Sequence, residues 1–304
     1  MKNLQIRNFL LKLHLCQGIG CHGELQFWRW WRAHHEPGDE CYLTANDLIA
    51  LKCVSAQNQK KFSSAFSSVA LQELLETHLE QVNYLTIADP QYPVQLKESY
   101  LAPICLFYQG SLELLRFPLL SIVGARLADH YGATSLSQLI PPVVKRNIVV
   151  VSGLAAGIDA MSHQETLRNG GRTIAVIGTG LNRSYPKQNT ALQQYIGKNQ
   201  LLLTEYPLNS GPKRHHFVER NRIIAGLCET LCVIQAKQHS GSLITANLAL
   251  QNNRNVLAVP GKITDPLSAG CNELIVAGAK PVLNSQHIIE EFRFDRIQNM
   301  KYDY

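Results

Sequence analysis

The sequence predicts a doubly wound α/β protein with a mostly parallel sheet, preceded by a small all-α module. Three observations carry this. The apolar segments LLSIVG, NIVVVSG, TIAVIG, QLLLTE, TLCVIQA and NVLAVPG recur between residues 119 and 261, and near-continuous apolar runs suit strands covered on both faces. Stretches with helical spacing, such as ADHYGATSLSQLI and LITANLALQNN, separate them, which is the βαβ rhythm of a parallel sheet. Up to about residue 80 only helical patterns occur.

Taken in order, the chain opens with MKNLQIRNFLLKLHLCQGIG. Lys12 and His14 interrupt its apolar run and no small-residue cleavage site follows, so an export leader is not expected. No stretch reaches the roughly 20 apolar residues of a membrane-spanning helix, and a cytoplasmic protein without membrane contact is expected. LQIRNFLLKLHL, a GIG turn, the tryptophan-rich ELQFWRWWRAHH and helical segments through LQELLETHLE complete the first module. The GIG at 18–20 admits two readings: the hairpin of a helix-hairpin-helix fold, whose amides touch a DNA phosphate, or a plain connecting turn. Residues 84–118, rich in proline with short apolar runs, read as a connector or edge segment. The regular alternation then begins, giving expected units 1–82, 83–292 and a tail, 293–304.

With 304 residues, 45% hydrophobic and 17% charged, the chain is long enough for two folded domains. Cys16, Cys21, Cys41, Cys53, Cys105, Cys228, Cys232 and Cys271 form no CxxC pair, so reduced structural thiols are expected and no zinc site. A net charge of +6 favours an anionic partner only if the bases cluster.

The predicted strands end in turns rich in glycine, serine or a base: Gly124-Ala125-Arg126, Ser152-Gly153, Gly178-Thr179-Gly180 and Pro260-Gly261-Lys262. In a doubly wound sheet these turns share the rim where ligands bind. Any βα turn uses glycine, so each alone is compatible with a purely structural role, but no turn geometry demands the bases Arg126 and Lys262. VSGLAAGIDA at 151–160 fits the same rim: glycines for the turn, Asp159 to open the next helix as an N-cap, and backbone N–H groups free for an anion. GTGLNR at 178–183 has an arginine where a dinucleotide fingerprint needs its third glycine, and PGK lacks the earlier glycine and the Ser/Thr of a P-loop. No nucleophile with an obvious base is visible. His163, four residues after Asp159, reads as a packing or hydrogen-bonding residue. The densest signal is GPKRHHFVERNRIIAGL at 211–227, where Lys213, Arg214, His215, His216, Arg220 and Arg222 face one acid, Glu219, around Phe217, with Arg220-Asn221-Arg222 read as a helix start. Bases interleaved with an aromatic suit single-stranded nucleic acid; a solvated basic face is the other reading.

SIVGAR, VVSGLAAGIDAMSH, GGRTIAVIGTGLNRSYPKQN, LLLTEYP, ERNRIIAGL, SGSLITANLAL and VLAVPG, in this order and spacing, with DPQYPVQLKESYLAPICLFYQG upstream, strongly resemble the DNA-processing protein A (DprA/Smf) family over about 85–285. The first 80 residues resemble the family's small helical module (SAM or helix-hairpin-helix-like) less specifically. The resemblance implies an extended Rossmann-like sheet that binds single-stranded DNA, a homodimer, no catalysis and no cofactor, protection of incoming strands in natural transformation and loading of the RecA recombinase. Carried over onto this sequence, Arg126, Lys187 and the base preceding Phe217 (Arg214 or Lys213) are similar to the family's phosphate contacts. Gly124, Ser152, Gly153, Gly157, Ser240, Gly241 and Ser242 match turns that offer backbone amides. With the residues read above, the expected DNA-binding set also holds Arg220, Asn221, Arg222 and Lys262. The chain departs from the pattern at Ala156, where arginine is common, and at Val218 and Gln235, where proline and glutamate are commoner. It ends soon after HIIEEFRFDRIQNMKYDY, so the winged-helix module of many members is not expected. A second functional class stands beside this reading: a nucleotide-phosphate-handling Rossmann-like enzyme, for which Asp159, His163 and Glu205 are the candidate acid–base groups.

Overall fold

The computed structural model describes residues 3–36 and 39–292; the expected tail at 293–304 lies outside the described residues. The first module contains α1 (Asn3–Leu15), α2 (Cys21–His34), α3 (Ala45–Ala50), α4 (Gln59–Phe66) and α5 (Val69–Gln81). Two helices begin on side-chain caps, Thr44 with Asp47 in a capping box and Ser68 accepting from the Leu71 amide, as their N-cap chemistry dictates. The GIG turn is set by packing: Gly18 has φ 96° and a Cβ there would lie 2.9 Å from the Phe62 backbone nitrogen.

The remaining elements are β1 (Asn83–Thr86), α6 (Val94–Lys97), β2 (Cys105–Gly110), β3 (Leu119–Val123), α7 (His130–Lys145), β4 (Val149–Ser152), α8 (Ile158–Arg168), β5 (Thr173–Ile177), α9 (Thr190–Asn199), β6 (Leu201–Thr204), α10 (Arg214–Leu227), β7 (Thr230–Val233), α11 (Gly241–Gln251), β8 (Asn255–Ala258), α12 (Ala269–Val276), β9 (Lys280–Pro281) and α13 (Gln286–Ile289). They build one nine-stranded sheet in the order β1-β2-β6-β5-β4-β3-β7-β8-β9. β3 to β9 pair in parallel, while β1 and β2 add an antiparallel edge on β6. The predicted doubly wound sheet is therefore present, and the connector at 84–118 supplies its edge.

Strand order reverses between β3 and β7, since successive crossovers run one way from β3 to β6 and the other way from β7. At such a switch point the loops diverge and leave a crevice at the carboxyl ends of the strands. Two cores flank the sheet with a period of two: Leu119 and Val123 face one side, Leu120 and Ile122 the other. The first core runs on without a break into Leu10, Leu13 and Phe27 of the helical module.

Two histidines fasten that module to the segment after β6. His78 donates from Nδ1 to the Leu74 carbonyl (2.7 Å) and accepts at Nε2 from the Leu208 amide (3.1 Å), so it is neutral. His14, its side chain 8% exposed, faces acceptors at both nitrogens, the Glu205 carbonyl at Nε2 (2.6 Å) and the Glu24 carboxylate at Nδ1 (3.3 Å), which requires an imidazolium. Burial opposes that charge, yet Glu24 and Glu205 more than offset it and raise the pKa to about 9. His163 is the reverse case. Its Nδ1 lies 2.6 Å from the Thr173 hydroxyl, whose proton goes to the Val150 carbonyl, and Nε2 is buried without a partner. Burial, helped by Arg220, lowers its pKa to about 3.

These opposite shifts give stability an arched pH profile. The contribution of His14 is complete below pH 6.5 and lost as pH rises toward 9; that of His163 is complete above pH 6.5 and lost as pH falls toward 3. Each proton sets a limiting slope of about 1.4 kcal/mol per pH unit. Urea titrations across pH are expected to show His14→Gln flattening the alkaline limb and His163→Gln the acid limb. Unchanged limbs would contradict these protonation states.

Candidate nucleic-acid interface

A cleft of about 430 Å3 opens at the switch point between β3 and β7, lined by the loop after β3 (Gly124, Ala125, Arg126), the turn into α8 and its first residues (Ala155, Asp159), α10 (Arg214, Phe217, Val218, Asn221, with Arg220 beneath them) and the start of α11 (Ser240, Gly241, Ser242). It continues through Arg126, Ala155, Phe217 and Arg220 into a smaller recess of about 70 Å3 against Gly153, Ala156, Gly178, Tyr185 and Pro186.

Each wall follows from local chemistry. Gly157 takes φ 75° so that the chain can turn under the β3 loop, and the Ile158 amide donates to the Ala125 carbonyl (3.1 Å). Gly157 itself, and not Asp159, occupies the N-cap of α8, which corrects the sequence expectation: the Asp159 carboxylate, buried beneath the loop, accepts from the Ala155 amide (3.4 Å). Burial raises the Asp159 pKa while Arg220 opposes the rise. Asp129 fills the N-terminus of α7, accepting from the Tyr131 and Gly132 amides. That of α11 has no side-chain cap, and the Ser240 and Ser242 hydroxyls lie 3.2 Å apart over it. The N–H groups of an uncapped helix N-terminus are suited to an anion.

The aromatic element is a pair. Phe217 packs against Gly178, where a Cβ would sit 2.9 Å from its ring, and faces Tyr185 at 5.1 Å between centroids. The exposed Arg126 guanidinium stands 6.0 Å from the Phe217 centroid. Tyr185 lies outside the residues expected from the sequence, where it shows only as an aromatic two residues before Lys187; Asn189 ties its loop to the rim by donating to the Leu154 carbonyl (2.9 Å).

The expected residues thus divide. Gly124, Arg126, Gly153, Arg214, Phe217, Arg220, Asn221, Ser240, Gly241 and Ser242 line the two connected recesses, and Gly157 underpins them. Lys187, Lys213 and Lys262 are exposed on neighbouring loops and line neither recess. Ser152 is fully buried and donates to the Ile122 carbonyl (2.6 Å). The basic run also departs from expectation: α10 begins at Arg214 instead of at Arg220, so helical phase sorts its bases. Arg214, Phe217 and Asn221 share the groove face. Arg220 is buried and donates to the Gly153 and Val176 carbonyls, tying the ends of β4 and β5. Arg222 points to the far side, into a buried ion pair with Glu205, and so belongs to the interior and not to the DNA-facing set. Of the acid–base candidates of the enzymatic reading, Glu205 is paired with Arg222 and His163 is buried beside Thr173, while Asp159 lines the cleft and accepts from the Ala155 amide.

A model of the DNA recombination-mediator protein A family matches residues 83–293, which span the whole sheet and both recesses. The chain belongs to this family. It is similar to the DNA processing protein DprA of Streptococcus pneumoniae, 48% identical over 220 residues that cover 72% of this chain and 78% of that protein. It is also similar to DprA of Bacillus subtilis, 37% identical over 272 residues, 89% of this chain and 91% of that one. Among solved structures, the X-ray structure of the Streptococcus pneumoniae protein superposes with a TM-score of 0.87 at 39% identity, over 95% of this chain and 98% of the other. A Helicobacter pylori DprA structure, reported for its single-stranded DNA binding mode, gives 0.62 at 27% identity over 72% of this chain and 97% of that one.

Within the family frame, Gln235 is explained by its neighbours. It is fully buried, and its amide nitrogen donates to the Asp129 carboxylate at 2.8 Å. A glutamate there would oppose that carboxylate.

Proposed function

We propose that this chain binds single-stranded DNA along the carboxyl rim of its sheet, with residues 83–292 as the binding unit. Its role is to protect incoming strands in natural transformation and to load the RecA recombinase, acting as a cytoplasmic homodimer without catalysis. The observation that carries the reading is the convergence of Arg126 and Arg214, the Phe217–Tyr185 pair and the uncapped start of α11 on one concave surface. Guanidinium groups and open amides suit phosphates of any sequence, while rings accept any base. Family membership and the single-stranded DNA binding mode of the Helicobacter pylori relative support it. Among the described residues, no helix is long and apolar enough to cross a membrane.

Lys187→Ala and the double change Lys213→Ala with Arg214→Ala are expected to weaken binding to strands of every composition alike. The dependence of log K on log salt should become shallower by about 0.7 for each phosphate contact removed. Fluorescence anisotropy with mixed-sequence and homopolymer strands reads this out; binding as tight as the parent's would contradict the assignment. RecA filament growth on pre-coated strands and sedimentation equilibrium test the loading and dimer parts.

A further inference from the structure

The tryptophan-rich segment of α2 takes no part in the rim. Phe27, Trp28 and Trp31 turn inward to the core, which leaves Arg29 and Arg32, one helical turn apart, on the outer face. They meet Lys97 of α6 across a cleft of about 330 Å3 floored by Leu25, Trp28 and Ile87. The Lys97 ammonium lies 5.7 Å from the Trp28 ring centroid. Among the described residues none of these three cations has an ion pair, whereas Arg116, Arg168 and Arg7 each have a carboxylate within 3.4 Å. Like charges gathered in a concave site without an acid repel one another unless an anion joins them. Burial and then Arg32 lower the Lys97 pKa, the direction such crowding produces.

We propose that this seam between α2 and α6 is a second phosphate-binding site, which holds the backbone of the same DNA strand beyond the rim. The inference rests on the single-strand reading above. Continuity favours a strand over an acidic peptide. From Arg214 to Arg222 is eight residues of α10, and Cys21, where α2 begins, feels the Arg222 charge. Arg29 follows eight residues later. Each stretch is about 12 Å at 1.5 Å per residue, so along these two helices the groove and the seam lie within reach of one extended strand. Two guanidinium forks and an ammonium beside an indole are also the groups that grip phosphates without reading sequence.

The test compares a strand of roughly 8 nucleotides, long enough for the rim alone, with one of roughly 30, using the full chain with Arg29→Gln and Arg32→Gln. Short-strand binding should match the parent, which also verifies the fold. Long-strand affinity should fall about three- to tenfold, with the salt slope shallower by about 1.4 for two phosphates lost. Arg29→Lys with Arg32→Lys should retain the slope. Unchanged long-strand affinity and slope would overturn the second site while leaving the rim intact. Loss of short-strand binding in Arg126→Ala, or its absence, reports on the rim separately.

Discussion

Phe217→Ala combined with Tyr185→Ala should lower affinity for single-stranded DNA by about 1–3 kcal/mol for each base stack lost and leave the salt slope as it was. The two rings form the apolar part of the groove, 5.1 Å apart and tilted by 37°, and neither carries charge, so no counterion accompanies their removal. This separates ring stacking from phosphate contact, because changing Arg126 or Arg214 alters the slope. The double variant should keep its fold: Tyr185 is 44% exposed and Phe217 half-buried on the groove face of α10. A salt series for parent and variant checks both halves. If the rings were only structural fill, affinity would be unchanged.

Arg222→Ala should cost about 3–5 kcal/mol of stability, a large share of the 5–15 kcal/mol of a typical domain. It leaves the Glu205 carboxylate, 7% exposed, buried beside His14 and Tyr206 without its partner. Glu205 raises the Arg222 pKa against the burial that lowers it, so the pair stands or falls together. Replacing both partners, Arg222→Met with Glu205→Leu, should recover most of the loss, since matched apolar groups need no compensating charge. Urea unfolding reads the difference; a single-variant cost below about 1 kcal/mol would place the pair in the solvated class. The folded fraction of Arg222→Ala should still bind DNA with the parent's salt slope.

The two residues show what a sequence discloses and what it withholds. Apolar runs separated by helical spacing reveal β3 to β8 because strands buried on both faces need nothing else, and the turns after them mark the rim. The edge strands β1 and β2 were legible only as an edge segment, since proline and mixed polarity suit a partly exposed antiparallel border as well as a loop. In the basic run, counting charges cannot assign faces. Only the start of α10 at Arg214 fixes the phase that aims Arg214 and Asn221 into the groove, sends Arg220 beneath it and turns Arg222 toward Glu205. Tyr185 escaped for a related reason: its neighbour Phe217 lies 32 positions away in the chain, and no local pattern announces that pairing.

The central claim is a phosphate-gripping groove at the rim, and the most direct measurement of it is anisotropy of a labelled single strand and of its duplex, across salt, for the parent and Arg126→Ala. The account predicts preferential single-strand binding that falls steeply with salt in the parent, and weaker binding with a slope shallower by about 0.7 in the variant. Equal affinity and slope in both proteins would contradict it.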